Sequence, residues 1–291
     1  MSIFDQKVIK YEMKPLSSLE KVFPDETPVY RMECQMLSGL WGETVSFQVA
    51  YTGDFVMRER LDVRVVSELA EHVHVRTVEM VPVGRATNGI VDDNYLKTIS
   101  GLYPDLLKDL KDGKVIVYSR QWRSLWVDVD ITNEIPAGEY EIELQLIKEG
   151  EVVCSAKQKV TVIGTELPKL DIMHTEWMHA DCLADYYHVE VFSEEHWKLL
   201  ENYFQEYVKR DCNMMLTPLF TSPLDTAIGL ERTTCQLIDV EVKDGEYVFG
   251  FEKLKRWIDL CKKCGIEYFE MSHLFSQWGA KRAANIMVEE N

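Results

Sequence analysis

KLDIMHTEWMHADCLADYYHVEVFSEEHW, residues 169–197, decides how the second half of this chain is read. Its apolar start (Leu170, Ile172, Met173) reads as a strand. The cluster His174, Glu176, Trp177, His179 and Asp181 reads as a loop at that strand's end, and Ser193 as the cap of a helix. In a (β/α) barrel the loops that follow the strands build the active-site face. Residues 174–188 are therefore expected to form the first wall of a binding cleft.

Downstream the alternation continues. A helix is expected over 194–210, because Trp197, Leu200, Phe204, Tyr207 and Val208 fall on one face. NMMLTPLF (213–220) reads as a second strand. A long excursion follows, with Asp225, Glu231 and Arg232 early in it and a hairpin turn at Asp244-Gly245. A second helix is expected over 252–264, and IEYFEMSHLF (266–275) as a third strand whose end brings His273, Phe275, Gln277 and Trp278. Right-handed crossovers lay such strands parallel, with their loops on one edge. A whole eight-fold barrel takes roughly 250 residues, and about 120 follow Pro168. KRAANIMVEEN (281–291) shows no closing strand. The expectation is an incomplete (β/α)8 TIM barrel of about three βα units over 166–291, truncated, whose uncovered edge favours self-association.

Upstream the signals are short strands. VSFQVAY (45–51), LDVRVVSE (61–68), VHVRTVEMVPV (73–83) and KVIVYS (114–119) are rich in β-branched residues. In 124–164, Trp126, Tyr140, Ile142, Leu144 and Leu146 fall at period two, with turns at Pro136-Ala137-Gly138 and Glu149-Gly150. Closely spaced antiparallel strands of this kind argue an N-terminal β-sandwich over residues 1–165. Residues 84–113 read as an irregular connection, since Pro104 interrupts any strand. GTELPKL (164–170) reads as the linker. His72 and His74 share one face of a strand reading, a pattern more often surface than metal. Asp25-Glu26, between Pro24 and Pro28, reads as a solvated turn.

Composition narrows the function. With 32 Lys plus Arg against 49 Asp plus Glu, the formal charge is −17, which disfavours nucleic acid and anionic membrane surfaces as partners. No apolar run reaches membrane-spanning length, and the N-terminus lacks a signal core, so a cytoplasmic protein is expected. Seven scattered cysteines argue for a reducing compartment rather than a disulfide framework. Cys261 and Cys264 form CKKC near a helix end closed by Gly265, where packing is the better reading than redox or zinc chemistry. No Walker, dinucleotide or nucleophile-elbow glycine pattern is present, and no cofactor is expected. His174, His179 and Asp181 would offer a two-His-one-carboxylate set, but all three share one loop, and no metal is expected. Aromatic rings beside carboxylates suit a sugar, whose C–H faces stack while its hydroxyls need partners.

The segments WMHADCLADYYHVEVFSEEHW, LTPLFTSPLDTAIGLERTTCQLIDV and FEKLKRWIDLCKKCGIEYFEMSHLFSQWGAK resemble the start of the catalytic barrel of glycoside hydrolase family 123. GLYPDLL and SLWVDVDITNEIPAGEYEIEL are similar to that family's N-terminal β-sandwich. The resemblance implies retaining, substrate-assisted hydrolysis of β-N-acetylgalactosaminides. There an adjacent Asp-Glu pair orients the sugar's acetamide and handles the protons. The one adjacent Asp-Glu in this sequence is Asp25-Glu26, in the wrong half, so no catalytic residue carries over and the chain alone is expected to be inactive. His174, Trp177, His179, Asp181, Asp225, Arg232, His273 and Trp278 are the expected contacts to an N-acetylhexosamine. The alternative is a non-catalytic carbohydrate-binding or structural module.

Overall fold

The computed structural model describes residues 10–29, 36–55, 58–87, 89, 91–169, 171–221, 224, 230–275, 279, 281 and 283–290. The chain divides into two compact units, Met1–Pro168 and Lys169–Asn291.

The first unit is built from β1 (Lys10–Ser17), β2 (Met36–Trp41), β3 (Thr44–Asp54), β4 (Glu59–Val66), β5 (Val73–Val83), β6 (Gly101–Asp109), β7 (Lys114–Val117), β8 (Arg123–Asp130), β9 (Gly138–Lys148) and β10 (Glu151–Glu166). These form two five-stranded sheets, ordered β1-β3-β8-β5-β6 and β2-β10-β9-β4-β7. Phe47, Leu125 and Val127 from the first sheet share one core with Leu61, Ile142, Leu144 and Leu146 from the second. That shared core makes the unit a β-sandwich. Each such side chain contributes about 1.5–3 kcal/mol on burial.

Alternation in β9 is as the pattern predicts, with Ile142, Leu144 and Leu146 all inward. In β8 the parity is the other one. Leu125, Val127 and Val129 are fully buried, and Trp126 lies on the opposite face, its indole N–H donating to Asp128 Oδ1 at 2.7 Å. A tryptophan that finds a polar partner for its ring nitrogen tolerates that half-open face.

Residues 101–109 correct the irregular reading of 84–113. They form an edge strand in which Met80 pairs with Pro104 and Glu79 with Leu106, so Asp105 bulges out of the ladder. A proline without an N–H is accommodated at an edge and beside a bulge, where one ladder bond fewer is tolerated. His72 and His74 do not share a strand face: His72 ends a 3-10 turn, Ala70–His72, and His74 Nε2 sits 3.3 Å from Asp130. Asp25 and Glu26 both engage Lys97, at 3.2 and 2.8 Å.

The second unit runs α1 (Ala180–Tyr187), α2 (Glu194–Val208), β11 (Met214–Thr217), β12 (Asp239–Lys243), β13 (Glu246–Gly250), α3 (Glu252–Cys264), β14 (Tyr268–Met271) and β15 (Glu289–Glu290). Ser193 caps α2, its Oγ accepting from the His196 N–H at 3.2 Å, while Glu194 and Glu195 suit the positive helix end. Trp257 of α3 is the centre of the core, edge-on to Phe204 at 5.1 Å and to Trp197 at 6.4 Å. Cys261 lies fully buried in the same core, and burial raises its thiol pKa, so this cysteine of CKKC is a packing residue. Asp244 and Gly245, both at positive φ, turn β12 into β13.

β11 and β14 pair in parallel, with α3 between them in sequence. The expected first strand does not form: residues 171–179 carry no strand, and Leu170 lies outside the described residues. Asn213 explains this. Its Oδ1 accepts from the His174 N–H at 2.8 Å, and its Nδ2 donates to the Ile172 carbonyl at 2.8 Å. The N–H groups of Asn213 and Met214 both donate to the His174 carbonyl at 3.1 Å. A side-chain amide thus takes the bonds that a ladder would have made. Two further readings are corrected. The 174–188 loop contains α1, and the tail supplies β15, which pairs in parallel with β12. The chain is thus β-rich, in two units, with three α-helices among the described residues.

Candidate functional site

Thr217 pairs with Met271 at the carboxyl ends of β11 and β14. The Ser272 N–H donates to the Thr217 carbonyl at 2.9 Å, which ties the two strand ends together. Ser272 Oγ accepts from the Leu219 N–H at 3.1 Å. Two groups of side chains gather beyond this end.

In the first group Trp177 meets His273 edge-on, with ring centroids 5.4 Å apart. The Trp177 indole N–H donates to Glu270 Oε2 at 3.0 Å, and His273 Nε2 lies 3.7 Å from Glu270 Oε1. Glu270 therefore orients both rings through one carboxylate. Trp177 is 38 % exposed, so part of its indole is reachable from solvent. This is an aromatic platform beside an imidazole and a carboxylate, the combination that stacks a sugar ring and binds its hydroxyls.

The second group is a buried ion pair. Arg232 Nε and Nη2 donate to Asp181 Oδ2 and Oδ1 at 2.8 and 3.1 Å, and both side chains are only 9 % exposed. Burial opposes the guanidinium charge, and Asp181 outweighs it, so the Arg232 pKa stands above its ordinary value. Arg232 Nη1 also donates to the Leu224 carbonyl at 2.8 Å. This bidentate clamp fixes the segment after β11 against the start of α1. A cavity of about 30 Å³ lies there, lined by His179, Thr221, Ser272 and the ion pair. That is room for about one water molecule.

Behind the clamp stands His196, fully buried. Its Nδ1 accepts from the Phe192 N–H at 2.9 Å, so the proton sits on Nε2, which donates to the Ala180 carbonyl at 3.0 Å. Burial lowers its pKa and keeps it neutral. Tyr207 does similar work from α2. Its hydroxyl accepts from the Glu176 N–H at 2.9 Å and lies 2.6 Å from the Met214 carbonyl.

The expected contacts are thus distributed unevenly. Trp177 and His273 come together, as do Asp181 and Arg232, and His179 stands at the N-terminal boundary of α1, without a side-chain capping bond, beside the small cavity. His174 is held at the other end of β11, its Nδ1 3.1 Å from the Asp211 carbonyl and its Nε2 3.6 Å from Glu176. Asp225, Gln277 and Trp278 lie outside the described residues. Glu270 was not foreseen, because it lies inside the four-residue strand β14 rather than in the loop after it. Among the described residues no three His, Cys, Asp or Glu side chains gather as a metal set.

Residues 177–291 match the glycoside hydrolase 123 catalytic domain. The second unit thus resembles the catalytic domain of glycoside hydrolase family 123. The fold of a family 123 glycoside hydrolase from Clostridium perfringens agrees over 91 % of this chain, with a TM-score of 0.65 at 14 % identity. The present chain spans 48 % of that protein, about half its length. A β-glucosidase from Listeria innocua overlaps with a TM-score of 0.25 at 10 % identity, over 55 % of this chain and 17 % of its own. The N-terminal domain of PorA overlaps with a TM-score of 0.26 at 10 % identity, over 53 % of this chain and 99 % of its own. Overlaps this low carry no argument for this chain. No curated protein matches it in sequence. Among the described residues no helix is long and apolar enough to cross a membrane.

Proposed function

We propose that residues 171–174, β11 and β14 are the opening arc of a (β/α)8 barrel whose rim binds an N-acetylhexosamine. The Trp177–Glu270–His273 group at the carboxyl end of β14 carries this reading. Trp177 provides the stacking face, Glu270 accepts from sugar hydroxyls, and the Asp181–Arg232 clamp holds the neighbouring loop. In the substrate-assisted chemistry of family 123 the sugar's acetamide oxygen attacks the anomeric carbon, and an adjacent Asp-Glu pair orients the acetamide and transfers protons. The second unit has no adjacent Asp-Glu in its sequence, so these residues bind rather than cleave. A non-catalytic carbohydrate-binding role for the isolated chain is the second reading, favoured by that same missing pair.

Two measurements test it. Calorimetric titration with methyl N-acetyl-β-galactosaminide is expected to show binding that Trp177→Ala weakens about tenfold, the equivalent of ~1.4 kcal/mol. Incubation with an aryl N-acetyl-β-galactosaminide is expected to release no phenol. Binding that ignores Trp177→Ala would refute the rim, and turnover would refute the assignment of a purely binding role.

A further inference from the structure

The first unit holds a cavity of about 490 Å³ between β5, β6 and the connection joining them. Its floor is apolar, with Val81 and Val83 of β5 beside Tyr103 and Pro104 of β6. Phe23 closes one side and meets Tyr103 edge-on at 5.8 Å. Within the connection the Asp92 carboxylate accepts from the Asn94 N–H at 2.8 Å, and Ser100 Oγ, donating to the Gly84 carbonyl at 2.6 Å, ties its two ends together.

Two features select the ligand. The lysines that line the cavity are already engaged. Lys97 Nζ sits 2.8 Å from Glu26 and 3.2 Å from Asp25, over the Phe23 ring at 4.0 Å, and Lys21 Nζ donates to the Pro104 carbonyl at 3.4 Å. An anionic ligand would meet neutralised cations and face Asp92 and Asp105. The second feature is the pairing of rings with acceptors. Tyr95 is 44 % exposed and lines the same wall as Asn94 and Asp92, while the bulge after Pro104 takes Asp105 out of the ladder and into the lining. A purely apolar ligand would take those polar groups out of water without offering them hydrogen bonds, at a cost. A sugar uses both, its C–H face on the tyrosine ring and its hydroxyls on the carboxylates. The volume lies within the range of small-ligand sites.

We propose that this cavity is a binding site for a neutral glycan, independent of the rim in the second unit. The test is saturation-transfer NMR on the full 291-residue chain with cellobiose and lactose, which carry no acetamido group, as neutral probes, digalacturonate as anionic probe and anilinonaphthalene sulfonate as apolar probe. At least one neutral disaccharide is expected to bind, with affinity reduced about tenfold by Tyr95→Ala and by Asp105→Asn. Tyr95 stands at the surface, so its truncation leaves the sandwich core intact. The proposal is overturned if neither disaccharide binds, if binding ignores both first-unit variants, or if only digalacturonate or the apolar dye is retained. Loss of binding in Trp177→Ala alone would place the sugar in the second unit and also refute this site, so its failure is separable from that of the rim.

Discussion

At the scale of single residues, the Asp181–Arg232 pair is where charge matters most. Removing one partner leaves the other buried and uncompensated, a loss of about 3–5 kcal/mol, whereas replacing both with apolar side chains of similar volume costs far less. Arg232→Ala is expected to lower the urea midpoint steeply and Asp181→Leu with Arg232→Met much less, which a double-mutant cycle will measure. His196 makes a second test. Its folded pKa lies below the ordinary 6.5 because of burial. Between the two values the unfolded chain takes up a proton that the native one refuses. Stability is therefore full above about pH 6.5 and declines as pH falls below it. Urea unfolding between about pH 7.5 and 5 should show this slope, and His196→Gln should flatten it. In sequence both roles were hidden. His196 lies on a helix face read only for its apolar members, and the partner of Asp181 is fifty-one residues away, a pairing that residue type suggests but spacing does not reveal.

At the scale of elements, termini and turns were written more plainly than strands. Gly265 ends α3 at φ 105°, and a Cβ there would sit 3.4 Å from Val208. Gly265→Ala is expected to cost about 1–2 kcal/mol through left-handed strain, read as a lower unfolding midpoint. The Ser193 cap and the Asp244-Gly245 turn follow local rules and were legible. So was β9, whose period-two pattern matches its buried face. Three elements did not follow local rules. Pro104 argued against β6 because nothing in the sequence shows that the strand is an outer one with a bulge. Trp126 suggested the wrong face of β8 because Asp128 satisfies its nitrogen. The run Leu170, Ile172, Met173 had strand composition, yet Ile172 and Met173 are mostly exposed, and the Asn213 amide replaces the ladder. In the site, Trp177 and His273 were legible as types at expected strand ends, while Glu270, which joins them, was hidden inside β14.

At the scale of the whole molecule, the excess of acidic groups and the two separate cores govern behaviour. A formal charge of −17 keeps polyanions away, consistent with a neutral ligand in either unit. Association is decided locally. Among the described residues β14 pairs with β11 alone, and its Tyr268 and Met271 are 42 % and 45 % exposed. An apolar strand border of this kind recruits other chains. Light scattering is expected to show a mass that grows with concentration, and Met271→Lys to reduce it; a monomer throughout would contradict this. The sandwich has the opposite character along its β6 side. Pro104 has no hydrogen to lend an arriving strand, and the extra residue beside it puts the next few amides out of step. Fibre growth seeded from that flank would stall at its first rung, so amyloid-like stacking should begin elsewhere.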